Sequence, residues 1–203
     1  METKKKYELS NKTIEFNGVT LHRIKALKDF SDVKAGDLGG WVEKEDNLSQ
    51  IGDAWIGGDA VVYENAKVYD RARVFGNAEI CGDAKVCDYA EICGDAKVYD
   101  HADVYNHARV FGNAEICGDA FVRGYAEICG DAVVKNNEDY IVFKNFWSSG
   151  RHFTWTRSNN MWKVGCFYGT REELIKKAYK DSTKSGKEYE RVVKYVDSIL
   201  ADK

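Results

Sequence analysis

From Ala54-Trp55-Ile56 to Ala132-Val133-Val134 the chain repeats Ala-x-(Val/Ile) every six residues, fourteen times without a slip. A short, unbroken period of this kind marks a solenoid, in which each unit buries its apolar face only against copies of itself. The alanine and the branched residue are two apart, so they share one face of a short strand. Two positions past the branched residue stands Gly, Asp, Asn or Glu, mostly types that tolerate a left-handed backbone at a corner. Each hexapeptide therefore reads as one strand and one corner.

Three such strands close a coil of eighteen residues, and residues eighteen apart then stack at the parallel-strand spacing of about 4.8 Å. The string RVFGNAEICGDA begins at Arg73 and again at Arg109, two coils on. The outward residues obey the same register. Arg73, Glu91, Arg109 and Glu127 form one column and Glu79, Lys97 and Glu115 part of another, so opposite charges meet at each step. The position after Val/Ile alternates aromatic and thiol: Phe75, Cys93, Phe111, Cys129 on one face, Tyr63, Cys81, Tyr99, Cys117 on the next, and Tyr69, Cys87, Tyr105, Arg123 on the third. Read as outward apolar columns, these mark an interface between subunits, and a homotrimer is the expected assembly.

This register settles what the cysteines can do. Cys93 and Cys129 lie two coils apart, about 9.6 Å at the strand spacing, beyond the roughly 7 Å Cα reach of a disulfide. Cys81, Cys87 and Cys93 belong to three different faces and do not converge on a metal. Free structural thiols and no metal are expected, which suits a reducing compartment. No stretch of about 18 apolar residues is present, and the Lys4 to Lys6 cluster leads into no hydrophobic segment, so neither a membrane span nor a secretory signal is read. The expected location is the cytoplasm.

Repeats such as AEICGD, AKVYDH and ARVFGN resemble those of hexapeptide-repeat proteins. The resemblance implies an all-β, left-handed parallel β-helix; the hand comes from the family, because ordinary parallel crossovers are right-handed. The stretch DFSDVKAGDLGGWVEKEDNLSQIGDAWI is similar to the N-terminal part of the YdcK-like proteins, a hexapeptide-repeat group labelled as transferases. Many members of the wider family are trimeric acyltransferases, with acyl-CoA between neighbouring helices and a histidine as general base. The resemblance therefore offers His107 and His101 as catalytic candidates and acetyl-CoA as cofactor. Against it, the repeat runs unbroken and supplies no loop to cover a substrate. The two histidines also occupy successive corners, pointing apart within one subunit.

The ends need covering, because terminal coils carry unpaired strand edges. Tyr7 to Leu27 reads as a hairpin turning at Asn17-Gly18. The glycine-rich Gly36-Asp37-Leu38-Gly39-Gly40 reads as a turn of this cap, since no Lys-Ser/Thr follows to make a phosphate loop. The expected organisation is a hairpin and cap over 1–47, the β-helix over 48–137 and a small α+β domain over 138–203. That last segment reads as a meander of YIVFKNFW, HFTWT and MWKVGCFY, then two helices started by the capping boxes Thr170/Glu173 and Ser185/Glu188. The second helix places Tyr189, Val192, Val193, Val196, Ile199 and Leu200 on one face for packing on the meander. The segment resembles small domains of phage and prophage proteins.

Two surfaces are candidates for a ligand. In the C-terminal segment Trp147, Arg151, His152, Trp155, Arg157, Trp162 and Lys163 interleave rings and cations, a combination that stacks a base and neutralises a phosphate; strand alternation turns about half of such rings inward as core. On the β-helix, one corner stacks Arg71, Tyr89, His107 and Tyr125, whereas another is the turn-forming ladder Asp59, Asn77, Asp95, Asn113 and Asp131. Charge adds a mild asymmetry: residues 138–203 carry 13 Lys/Arg against 9 Asp/Glu, while 1–137 carry 17 against 24. Two function classes follow. The chain is either a non-catalytic binding protein, with an oligomeric scaffold presenting an aromatic and basic domain to a host protein or small nucleotide and needing no cofactor, or an acyl-CoA-dependent acyltransferase.

Overall fold

The computed structural model describes residues 5–201, so Lys4 of the basic cluster lies outside the described residues. Fourteen two-residue strands, β4 to β17, recur every six residues from Trp55–Ile56 to Val133–Val134. They stack into three parallel sheets: β4-β7-β10-β13-β16, β6-β9-β12-β15, and β5-β8-β11-β14-β17. The result is a left-handed β-helix of about five coils. Register is eighteen residues throughout, with Arg73 beside Glu91 and Glu91 beside Arg109. Every repeat Ala and Val/Ile is buried, and together they form one continuous core. Each buried branched residue contributes about 1.5–3 kcal/mol relative to exposure.

Corners follow the residue types foreseen for them. Glu64, Asp70, Asp88, Asp100 and Asn106 take φ between 56° and 61° at the same position that glycine holds in other coils. Gly94 shows why glycine recurs there. An added Cβ would lie 3.0 Å from the nitrogen of Gly112 in the next coil, so the backbone of successive coils is in close contact.

The helix has a backbone polarity that its two caps match. Each coil donates its N–H groups to the carbonyls of the next, as from Arg73 N to Ala90 O at 2.9 Å. The first coil therefore presents carbonyls, and the last coil presents N–H groups. At the first end the hairpin β1 (Tyr7–Phe16) and β2 (Val19–Ala26) turns at Asn17-Gly18, and β3 (Leu38–Val42) pairs parallel with β5. Donors then cover the carbonyls: Trp41 N to Ala60 O, the Asn47 amide to Ala66 O at 2.9 Å, and the fully buried Lys6 ammonium to Ala54 O at 2.9 Å. Burial holds the Lys6 pKa down at about 8.

At the other end each face finishes on a side-chain oxygen. Asn137 Oδ1 accepts from Phe121 N, Thr154 Oγ1 from Glu127 N and Ser158 Oγ from Val133 N, at 2.9, 3.0 and 2.7 Å. Asn137 is the last residue before the C-terminal segment, and Thr154 and Ser158 come from that segment. Its sheet runs β18 (Tyr140–Lys144), β19 (His152–Thr156), β20 (Met161–Val164) and β21 (Phe167–Gly169), all antiparallel. The run MWKVGCFY is thus not one strand but a hairpin, because Gly165 takes φ 56° and reverses the chain. Helix α1 (Arg171–Asp181) starts on the Thr170/Glu173 capping box. Helix α2 (Thr183–Ala201) starts earlier than the Ser185/Glu188 pattern suggested, since Ser182 Oγ accepts from Ser185 N and takes the capping role. Val193 and Val196 pack with Phe153, Trp155 and Trp162.

The aromatic and thiol columns are less exposed than the sequence suggested. Tyr63, Cys117 and Cys129 are buried, Cys81, Cys87 and Cys93 half-buried, and only Phe75 of the Phe/Cys column counts as exposed, at 41%. These columns are largely satisfied by one another within a single chain. All six cysteines are free thiols. No described helix is long and apolar enough to cross a membrane.

Candidate functional site

One corner of the β-helix carries the ladder Arg71, Tyr89, His107 and Tyr125. Each follows a left-handed residue, Asp70, Asp88, Asn106 or Gly124, whose φ of 57° to 70° turns the next side chain outward. The eighteen-residue register superimposes the rings. Tyr89 and His107 lie 4.9 Å apart at 17°, and His107 and Tyr125 lie 5.0 Å apart at 7°. The Arg71 guanidinium covers the free face of Tyr89, 5.2 Å from its centroid, and donates to the Tyr89 hydroxyl.

The C-terminal segment extends this ladder. Because Thr154 of β19 accepts from Glu127 N, β19 lies across the end of the helix and its first residue, His152, falls over Tyr125. Those rings are 4.5 Å apart at 9°. Sequence reasoning placed His152 and Tyr125 in two separate candidate surfaces; the structure joins them. Burial, with Lys144 nearby, lowers the His152 pKa and favours the neutral imidazole.

Ring spacing limits what the ladder does. At 4.5–5.0 Å between centroids every inner face is already covered, so no base enters between two rungs. The ladder instead offers its edges, a row of phenol hydroxyls and imidazole nitrogens. Insertion of a base between the rungs of this corner does not fit the geometry.

Beside the ladder runs a shallow groove on the face built from β4, β7, β10, β13 and β16. Its C-terminal half, about 350 Å³, is lined by His107, Arg109, Tyr125, Glu127, Arg151 and His152. Its N-terminal half shares Tyr89, Glu91 and His107 and adds Asp32, Asp53, Arg71, Arg73 and Phe75. The loop before β3 closes that end. Phe30 packs edge-on against Trp55 at 5.4 Å, and both carboxylate oxygens of Asp32 accept from Arg73, one at 2.7 Å. The Arg73 partnership holds the Asp32 carboxyl near pKa 2.

Of the remaining C-terminal candidates, Arg151 lines this groove and Lys163 contacts one of its lining residues, Glu127. The Lys163 ammonium lies 3.5 Å from Glu127 and 5.6 Å from the Phe111 ring centroid. Trp155 and Trp162 are core, 2% and 1% exposed, and the Trp155 indole donates to Asn160 Oδ1 at 2.9 Å. Trp147 is half-buried against Phe153 and Tyr189. Arg157 is tied to Glu138 O and Asp139 at 3.3 and 3.9 Å. Trp155 is thus a core residue, while Trp147 packs against its own domain and Arg157 contacts the segment before β18. His101 has a partner that the sequence did not reveal: its Nδ1 lies 3.3 Å from Asp83 Oδ2, one coil below. His107 makes no carboxylate contact among the described residues. The same corner brings ligand atoms of Asp70, Cys87 and Asp88 within 4.8 Å of one another, so the thiol of Cys87 lies beside carboxylates rather than other thiols.

Asp32, Asp53, Glu91 and Glu127 were not singled out as site residues. The Arg73–Glu91–Arg109–Glu127 column was visible in the sequence, but only as a sign of register. Nothing local marks Asp32, which reaches the groove through the tertiary fold of the N-terminal cap.

No family model matches the chain. Over 60 residues it is 40% identical to an Escherichia coli (strain K12) protein named as the uncharacterized acetyltransferase YdcK. The matched region covers 26% of this chain and 18% of that relative. The likeness is local, to a protein whose name carries an acetyltransferase label.

Proposed function

We propose that this chain is a ligand-binding protein that holds a small nucleotide-type molecule in the groove along the Arg71–Tyr89–His107–Tyr125–His152 ladder. One observation carries the reading: both end caps converge on a single face of the prism, Asp32 from one side and Arg151 with His152 from the other. The edges of Tyr89, His107 and Tyr125 supply hydrogen bonds to a base and sugar, and the arginines supply the phosphate contact. Set in a phage or prophage, such a protein acts by sequestering a host component, a nucleotide signal or a protein that carries the same groups. In this reading the chain works as a homotrimer in the cytoplasm and needs no cofactor.

A thermal-shift screen with nucleotides, cyclic nucleotides and acetyl-CoA tests it. A nucleotide is expected to raise Tm, and Tyr125→Leu or His152→Ala to abolish the shift. A nucleotide shift that survives both substitutions refutes the site.

The acyltransferase reading rests on a different observation, the His101–Asp83 pair, which orients one imidazole nitrogen and leaves the other open to solvent. With acetyl-CoA between subunits, His101 is then the general base, in preference to the ladder-bound His107. Thiol release from acetyl-CoA with a panel of amine acceptors, lost in His101→Ala and kept in Tyr125→Leu, supports this second reading over the first.

A further inference from the structure

The charges lining the groove have an uneven pairing. Arg73 is held by Asp32. Arg71 lies 3.7 Å from Asp53. Arg109 lies between Glu91 at 3.0 Å and Glu127 at 3.6 Å, and Lys163 reaches Glu127 at 3.5 Å. Four carboxylates thus meet four cations. The fifth cation, Arg151, has no carboxylate partner among the described residues and stands beside His152 at the C-terminal end.

A ligand charge is favoured where it meets an unpaired opposite charge. It is disfavoured where it must break an ion pair or sit against a carboxylate. A triphosphate chain laid from Arg151 along the groove runs onto Glu127 and Glu91, whose counter-ions are already engaged. A single phosphate on Arg151 meets a cation that has no ion-pair partner among the described residues and does not extend along Glu127 to Glu91, and the neutral remainder of the molecule lies along the ladder edges.

We infer that the groove selects a nucleotide carrying one negative charge, a cyclic mononucleotide or similar phosphodiester, with that phosphate on Arg151. This rests on the groove being a nucleotide site, as proposed above. The guanidinium recognises the two non-bridging phosphate oxygens through its fork of donors, and each further phosphate charge weakens binding by about tenfold, the factor that one modest repulsion represents.

Calorimetric titration of the full chain with adenosine, cyclic AMP, cyclic GMP, AMP and ATP tests this directly. At least one cyclic nucleotide is expected to bind more tightly than AMP, with one further charge, by about tenfold and than ATP, with three further charges, by about a thousandfold. In Arg151→Gln the cyclic nucleotide falls to the level of uncharged adenosine, and in Arg151→Lys the order of affinities returns. ATP binding as tightly as the cyclic nucleotides, or an order unchanged in Arg151→Gln, overturns the single-charge selection and leaves the groove as a nucleotide site. Failure of all five to bind removes the groove reading itself, and this inference with it.

Discussion

Replacing His107 by alanine isolates the contribution of the ring ladder. His107 is sandwiched between Tyr89 at 4.9 Å and Tyr125 at 5.0 Å, both nearly parallel, so the substitution removes two stacking contacts at once. Aromatic pairs contribute about 0.5–1.5 kcal/mol each beyond burial. At this exposed corner the lower part of that range applies, giving a loss of about 1–2 kcal/mol. With a urea m-value of about 2 kcal/mol/M, the midpoint falls by about 0.5–1 M. The core is untouched, because Ala108 and Val110 face inward and His107 does not. His107→Phe keeps both ring contacts and is expected to stay within about 0.5 kcal/mol of wild type, the ordinary range for a surface change. Urea unfolding followed by far-UV circular dichroism gives the midpoints, and a double-mutant cycle with Tyr125→Ala gives the pairwise coupling, expected at about 0.5–1 kcal/mol. If His107→Phe loses as much as His107→Ala, or the cycle shows no coupling, stacking is not what holds this corner.

Two further outcomes follow from the caps and the thiols. Thr154→Val removes the acceptor for Glu127 N and leaves an end-strand donor buried, costing about 1–3 kcal/mol; hydrogen exchange is expected to accelerate at Glu127, and Thr154→Ser to restore protection. Burial raises the pKa of Cys81, Cys87, Cys93 and Cys129, the last to about 11, so their stabilisation is present below the unfolded thiol value of about 8.5 and is lost as pH rises through the folded values. Lys6, lowered to about 8, acts in the opposite sense, because between about 8 and 10.5 the unfolded chain binds the extra proton and stability rises with pH. Four thiols outweigh one ammonium, so urea midpoints under reductant are expected to fall from pH 8.5 to 10, and to fall more steeply in Lys6→Met; a midpoint that rises over that range contradicts the burial of the thiols.

Most of the β-helix was legible because its information is local and repeated. Ala-x-(Val/Ile) specifies a strand face, the left-handed residue specifies a corner, and eighteen residues bring Arg73 under Glu91 with no further input. The Asn17-Gly18 hairpin and the Thr170 capping box were legible for the same reason, since each is decided by backbone preferences within a few residues. The Ser182 cap was missed because two serines three apart compete for one role, and Gly165 because a tight reversal and an isolated strand glycine look alike.

The repeat alone thus determined the prism, its register, its core and the separation of the thiols, since every one of these follows from side chains alternating along short strands of fixed pitch. Only the tertiary structure decided that Thr154 would satisfy Glu127 N, that His152 would thereby complete a ladder begun at Arg71, and that Asp32 would meet Arg73 from the far end. Those contacts join residues 27 to 41 positions apart, and their partners are fixed by which backbone groups the terminal coils leave unpaired, a quantity that no local pattern of residues encodes.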